Sequence, residues 1–133
     1  MVNYMNLSLL MLLAGLASAA DSAEPATASY LEMAPLAQYL ASSPTEEVAL
    51  ARSAAPAAIS EDAAVLTLGP RGYATTVAGK NGFVCLIVRA WANNFDSGEF
   101  WNPKVRAPHC FNPAAVRSVL PTYLRRTRYS SCR

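Results

Sequence analysis

Three hydrophobic patterns follow one another along the chain. Residues 7–16 form a near-continuous apolar run of about ten positions, too short to cross a bilayer and suited to the core of a secretory leader. From Met33 the apolar positions take helical spacing, at Met33, Leu36, Ala37 and Leu40. A second helix is marked by Ser43 as N-cap, Pro44 at the first helical position and Glu46 completing a capping box; Val48 to Ala54 continue it and Pro56 ends it. Residues 57–62 read as a linker. The period then shortens. Residues 64–68, 73–80 and 83–89 are rich in Val, Leu, Ile, Thr and aromatics, as strands are.

Two turn signals join these strands. Gly69-Pro70-Arg71-Gly72 pairs Leu68 with Tyr73 and Leu66 with Thr75. Asn81-Gly82 reads as a two-residue hairpin turn, which would set Val77 opposite Leu86 and Thr75 opposite Val88. One face then carries Leu66, Leu68, Tyr73, Thr75, Val77, Val84, Leu86 and Val88, a core for the two N-terminal helices. The other face, with Val65, Cys85, Ile87 and Arg89, is smaller and mixed, and needs a cover. Residues 91–111 show little periodicity and read as a long aromatic loop. After it, Asn112 caps a helix with Pro113 at its first turn and a stripe of Val116, Val119, Leu120, Tyr123 and Leu124; Pro121 is expected to kink it. The expected fold is α+β: two N-terminal helices, a three-stranded antiparallel meander, a long aromatic loop and a C-terminal helix.

The leader changes how the rest is read. Ala17-Ser18-Ala19-Ala20 offers small residues for signal peptidase cleavage after Ala19 or Ala20, although the stretch before the apolar run has no Lys or Arg. The expected organisation is a signal peptide at 1–20, a disordered linker at 21–29, a small domain at 30–126 and a basic tail at 127–133. No Cys follows the leader to take a lipid, and no further run is long enough for a transmembrane segment. A periplasmic or secreted location follows. The remaining chain of about 113 residues suits one small domain.

Export licenses disulfides. Of Cys85, Cys110 and Cys132, the first two are the expected pair, because Cys85 sits on the face that the loop must cover. Their spacing matches no zinc pattern, so no metal and no cofactor is expected. The overall charge of +2 hides an asymmetry: seven acids and one base up to Asp62, then two acids and ten bases. The basic end lacks the interleaved aromatics of single-strand binders, so no nucleic acid is expected.

Candidate chemistry gathers in the loop. Trp91, Phe95, Phe100 and Trp101, with Arg106, could stack on a sugar ring or hold an apolar ligand. Equally, the rings could simply cover the sheet. Asp96 and Glu99 are a carboxylate pair, and His109 adjoins Cys110, so a hydrolase using Asp96, Glu99 or His109 is the alternative. A purely structural envelope protein is the third reading.

The stretches Ala49-Leu50-Ala51-Arg52-Ser53-Ala54-Ala55-Pro56, Lys80-Asn81-Gly82-Phe83-Val84-Cys85-Leu86, Phe100-Trp101-Asn102-Pro103-Lys104 and Cys110-Phe111-Asn112-Pro113-Ala114-Ala115 resemble a family of uncharacterised exported proteins of soil proteobacteria and related bacteria. The resemblance implies export and no particular activity. It also implies a further helical segment beyond residues 124–127, so the ending at Cys132-Arg133 reads as a truncation or frame change that would make Cys132 incidental. Partners remain open between a small ligand and an envelope component.

Overall fold

The computed structural model describes residues 29–131. The expected leader, most of the linker and Cys132 lie outside the described residues. After a 3₁₀ turn at Leu36–Gln38 come α1 (Pro44–Arg52), α2 (Ala57–Ser60), β1 (Ala64–Gly69), β2 (Gly72–Val77) and β3 (Val84–Val88). A second 3₁₀ turn, Ala90–Ala92, leads through a loop to β4 (Ala107–Phe111), α3 (Pro113–Ser118) and α4 (Leu120–Ser131).

The sheet has four strands in the order β2-β1-β3-β4 and is mixed. This corrects the three-stranded antiparallel meander. The first hairpin pairs Leu68 with Tyr73 and Leu66 with Thr75, as its loop length predicts. The second hairpin does not exist: β3 lies on the far side of β1 and runs parallel to it, Leu66 beside Leu86. A type I′ turn needs positive φ at both central residues. Here Gly82 has φ +78°, and among the described residues no non-glycine residue has positive φ. The Asn81 side chain instead accepts from Phe83 N at 3.0 Å and donates to Ile59 O at 2.8 Å. The chain thus crosses the start of β1, held there by Lys80 N on Asp62 O at 2.7 Å and Ala64 N on Phe83 O at 2.9 Å. Gly79 makes the crossing possible, because a Cβ there would overlap the Ala64 backbone.

The fourth strand comes from within the expected loop. β4 pairs antiparallel with β3, and Cys110 stands directly opposite Cys85. The two form a disulfide with a Cα–Cα separation of 4.0 Å. The expected pairing is present, but it staples neighbouring strands instead of tying a loop across a sheet face.

The covering layers are also exchanged. Leu66, Leu68, Leu86 and Val88 pack with Trp91, Phe100, Leu120 and Tyr123, from the aromatic segment and α4. Val65, Cys85 and Ile87 pack with Ala51 and Val48 of α1. Val77 joins this second face too, since a register shift between Val65 and Leu66 moves Val77 opposite Val65.

The helices differ in detail. The Met33–Leu40 pattern yields only a 3₁₀ turn, whereas Ser43 caps α1 by accepting from Glu46 N at 3.1 Å. The stretch read as a linker contains α2. The single C-terminal helix is two. Asn112 caps α3 by accepting from Ala115 N at 2.9 Å. The chain then restarts at Leu120, where Pro121 occupies the second position of α4 and no backbone donor is missed.

Candidate functional site

Beyond Leu66 and Leu86, β1 and β3 part, and their unpaired backbone groups need partners. A buried polar hub supplies them. Glu47 of α1 accepts from Leu68 N at 3.1 Å and from Arg89 Nη2 at 3.0 Å. Arg89 is completely buried and also donates to Tyr39 O at 2.8 Å and Ile87 O at 2.6 Å. The Tyr73 hydroxyl donates to the same Ile87 carbonyl. Tyr123 accepts from Arg89 N at 2.9 Å and lies 3.1 Å from the Tyr73 hydroxyl oxygen. The hub joins α1, all three strands β1–β3 and α4.

Burial pushes the Tyr73 phenol well above its ordinary value of 10.0, and the neighbouring Tyr123 adds to that while the Arg89 charge opposes it. Burial likewise raises Tyr123, against the hydrogen bond from Arg89 N. In the unfolded chain both ionise near pH 10. The folded state therefore holds their protons longer, and its stability is unaffected by them below about pH 10 and falls above it. Alkaline unfolding followed by circular dichroism should be coupled to tyrosinate absorbance, and Tyr73→Phe should reduce the slope of stability against pH. An unchanged slope in both Tyr73→Phe and Tyr123→Phe would contradict this assignment.

The hub fixes where the chain goes next. The turn at Ala90–Ala92 buries Trp91, whose indole Nε1 donates to Thr127 Oγ1 at 3.0 Å and whose ring lies 5.0 Å from that of Tyr39. Arg126 of α4 donates through Nη1 to Trp91 O at 2.9 Å and Asn93 O at 3.3 Å. Two short turns follow, closed by Phe100 N on Ser97 O and Asn102 N on Glu99 O, each at 3.0 Å. They set Phe100 between Phe95, at 5.0 Å, and Trp101, edge-on at 4.6 Å. Tyr30 N donates to Gly98 O at 2.7 Å and lays residues 29–31 along the loop.

These pieces enclose an open cleft of about 710 Å³. Phe95, Asp96, Trp101, Leu31, Arg126 and Tyr129 are among its lining residues. Leu31 is 82%, Phe95 84% and Tyr129 79% exposed, the three most exposed large hydrophobic residues of the described chain. All three rim this one cleft.

The aromatic candidates thus separate by role. Phe95, Phe100 and Trp101 come together at the cleft, with Phe100 buried beneath. Trp91 is in the core. Arg106 is elsewhere, donating to Gln38 O at 3.0 Å, Leu40 O at 3.2 Å and Pro103 O at 2.7 Å; it clamps the far end of the loop to the N-terminal segment. Burial, and behind it the Arg89 charge, lowers its pKa from the ordinary arginine value.

The hydrolase reading requires Asp96, Glu99 and His109 in one cleft. Asp96 lines the aromatic cleft, the Glu99 carboxylate accepts from the Asn102 amide, and His109 lines a different groove between β4 and α4, with Phe111 and Val119. Among the described residues no three of His, Cys, Asp and Glu gather as a metal-binding group, and no helix is long and apolar enough to cross a membrane.

Sequence reasoning did not single out Leu31, Arg126 or Tyr129 as cleft residues. For α4 a signal was available: Arg126, Tyr129 and Ser130 fall at i, i+3 and i+4, one helical face. No family model, no curated protein and no solved structure matches the chain.

Proposed function

We propose that this chain is an exported, non-enzymatic binding protein that holds a small ligand or a cell-envelope component in the cleft between residues 29–31, the 95–101 loop and α4. The observation that carries this reading is the gathering of Leu31, Phe95 and Tyr129 around one cleft. Large exposed apolar side chains are normally scattered singly, and a contiguous group marks an interaction surface. The rings of Phe95 and Trp101 offer faces for stacking, and Asp96 and Arg126 add one charge of each sign.

Export is supported by the apolar leader, by the resemblance to exported proteobacterial proteins, and by the Cys85–Cys110 disulfide, which persists in an oxidising compartment. The periplasm or the extracellular space is the location this reading assigns.

Tryptophan emission tests it. Trp91 is shielded in the core, so a change on ligand addition reports Trp101. Titration with a panel of envelope glycans and lipids should shift the emission for at least one of them. Phe95→Ala should weaken that binding about tenfold with no loss of thermal stability, because Phe95 is exposed. Emission that no member of the panel changes would sink the reading.

A further inference from the structure

We infer that the envelope component is a bilayer surface bearing anionic phospholipids, onto which the cleft rim inserts its apolar side chains while the arginines of α4 meet the headgroups. This rests on the binding reading and names its partner.

The rim is the first ground. A small soluble ligand is held by a cleft floor, and here the floor is Phe100 and Trp101. It has no need of rim side chains that stand free. Leu31, Phe95 and Tyr129 stand about four-fifths exposed. They are also the right types: Leu and Phe suit the acyl boundary, and Tyr carries an apolar ring with a polar end that belongs at the headgroup level.

Charge is the second ground. Tyr129 lies at i+4 from Arg125 and i+3 from Arg126, so both arginines neighbour the tyrosine on the surface of α4. Arg125, Arg126 and Arg128 are all exposed. Among the described residues the ion pair formed is that of Arg89 with Glu47, far inside, and none of these three arginines is paired with a described carboxylate. Asp96 and Arg126 both line the cleft, and Arg125, a neighbour of Tyr129 on the surface of α4, adds a further positive charge beside it. Apolar anchors beside clustered cations are the combination that holds peripheral proteins on anionic membranes, since neither contribution alone gives stable attachment. A neutral glycan would use the aromatic rings and leave the positive charge of Arg125 and Arg126 unmatched.

Co-sedimentation of the exported chain with lipid vesicles tests the inference. Vesicles of phosphatidylglycerol mixed with phosphatidylcholine should bind the protein, phosphatidylcholine alone should bind it far more weakly, and binding should fall as salt rises through the range that shortens screening below about 8 Å. Arg125→Gln should weaken it about fivefold. The double change Phe95→Ser with Tyr129→Ser should weaken it more than tenfold while leaving the melting temperature in place. Equal binding to both vesicle types overturns the inference. So does binding that ignores the Phe95 and Tyr129 changes, which would be charge attraction without insertion. So does a concentration-dependent dimer in sedimentation velocity that the same double change abolishes, because a second copy would then be the occupant. A Trp101 emission shift with a soluble glycan, and no vesicle binding, removes the lipid surface and keeps the cleft reading. Failure of both assays removes both.

Discussion

Glu47→Ala is expected to lower the unfolding free energy by about 3–5 kcal/mol, the usual cost of leaving one member of a buried ion pair without its partner. The change strands Arg89, which has no access to water, and it also removes the acceptor of Leu68 N. A domain of this size has only about 5–15 kcal/mol in total, so the variant should be close to unfolded at room temperature. The pair is not thereby a large net source of stability, since burying two charges costs much of what their attraction returns. That distinction is testable. Urea denaturation of Glu47→Leu, Arg89→Met and the two combined completes a double-mutant cycle, with Glu47→Ala measured beside it. The apolar double variant should recover a large part of what Glu47→Ala loses. Additive losses in the double variant would show that the two residues act independently, against the hub described above.

The second large effect is expected from the disulfide. Reduction, or the Cys85→Ser with Cys110→Ser variant, should cost about 3 kcal/mol, the chain-entropy value for a closed loop of this length. The link bears on function as well as stability. β4 is an edge strand, held along one side by β3 alone and reached through the long loop. Without the covalent tie, β4 and the loop end that leads into it should open first. Native-state hydrogen exchange should therefore show faster exchange at residues 107–111 in the reduced protein while β1 stays protected. Uniform loss of protection across the sheet would mean that the bridge acts on the whole domain and not on its edge.

The elements that could be read from the sequence are those whose signals are local. Ser43-Pro44 starts α1, Asn112-Pro113 starts α3, and the Gly69–Gly72 turn fixes the β1–β2 register. The Cys85–Cys110 pair was legible too, but the wrong geometry was attached to it. Two cysteines in strand-like surroundings can be neighbours in one sheet, and that alternative would have revealed β4. Pro108 hid the strand, since proline is rare in central strands. It is acceptable here because β4 is an edge.

Asn81-Gly82 failed for a different reason. The dipeptide suits both a tight hairpin and a turn closed by the Asn side chain. The choice between them was made by distant partners: Ile59 and Asp62 hold the crossing, and β1 accepts β3 on its free side. The hub was illegible on the same grounds. Glu47 and Arg89 are 42 positions apart, and they need each other only because β1 and β3 diverge. At the cleft, composition pointed to the loop that lines it. It could not sort Trp91, which faces the core, from Phe95, which faces solvent, and it gave no sign that Leu31 and Tyr129 would arrive from opposite ends of the domain.

The central claim is that the cleft rimmed by Leu31, Phe95 and Tyr129 is the binding surface. Its most direct test is the Trp101 emission titration repeated on the Phe95→Ala with Tyr129→Ala variant, with thermal melting run on the same samples. The account predicts an unchanged melting transition and a shift that disappears or moves to much higher ligand concentration. A variant that melts like the wild type and still gives the full shift at the same concentration would place the binding surface elsewhere on the protein.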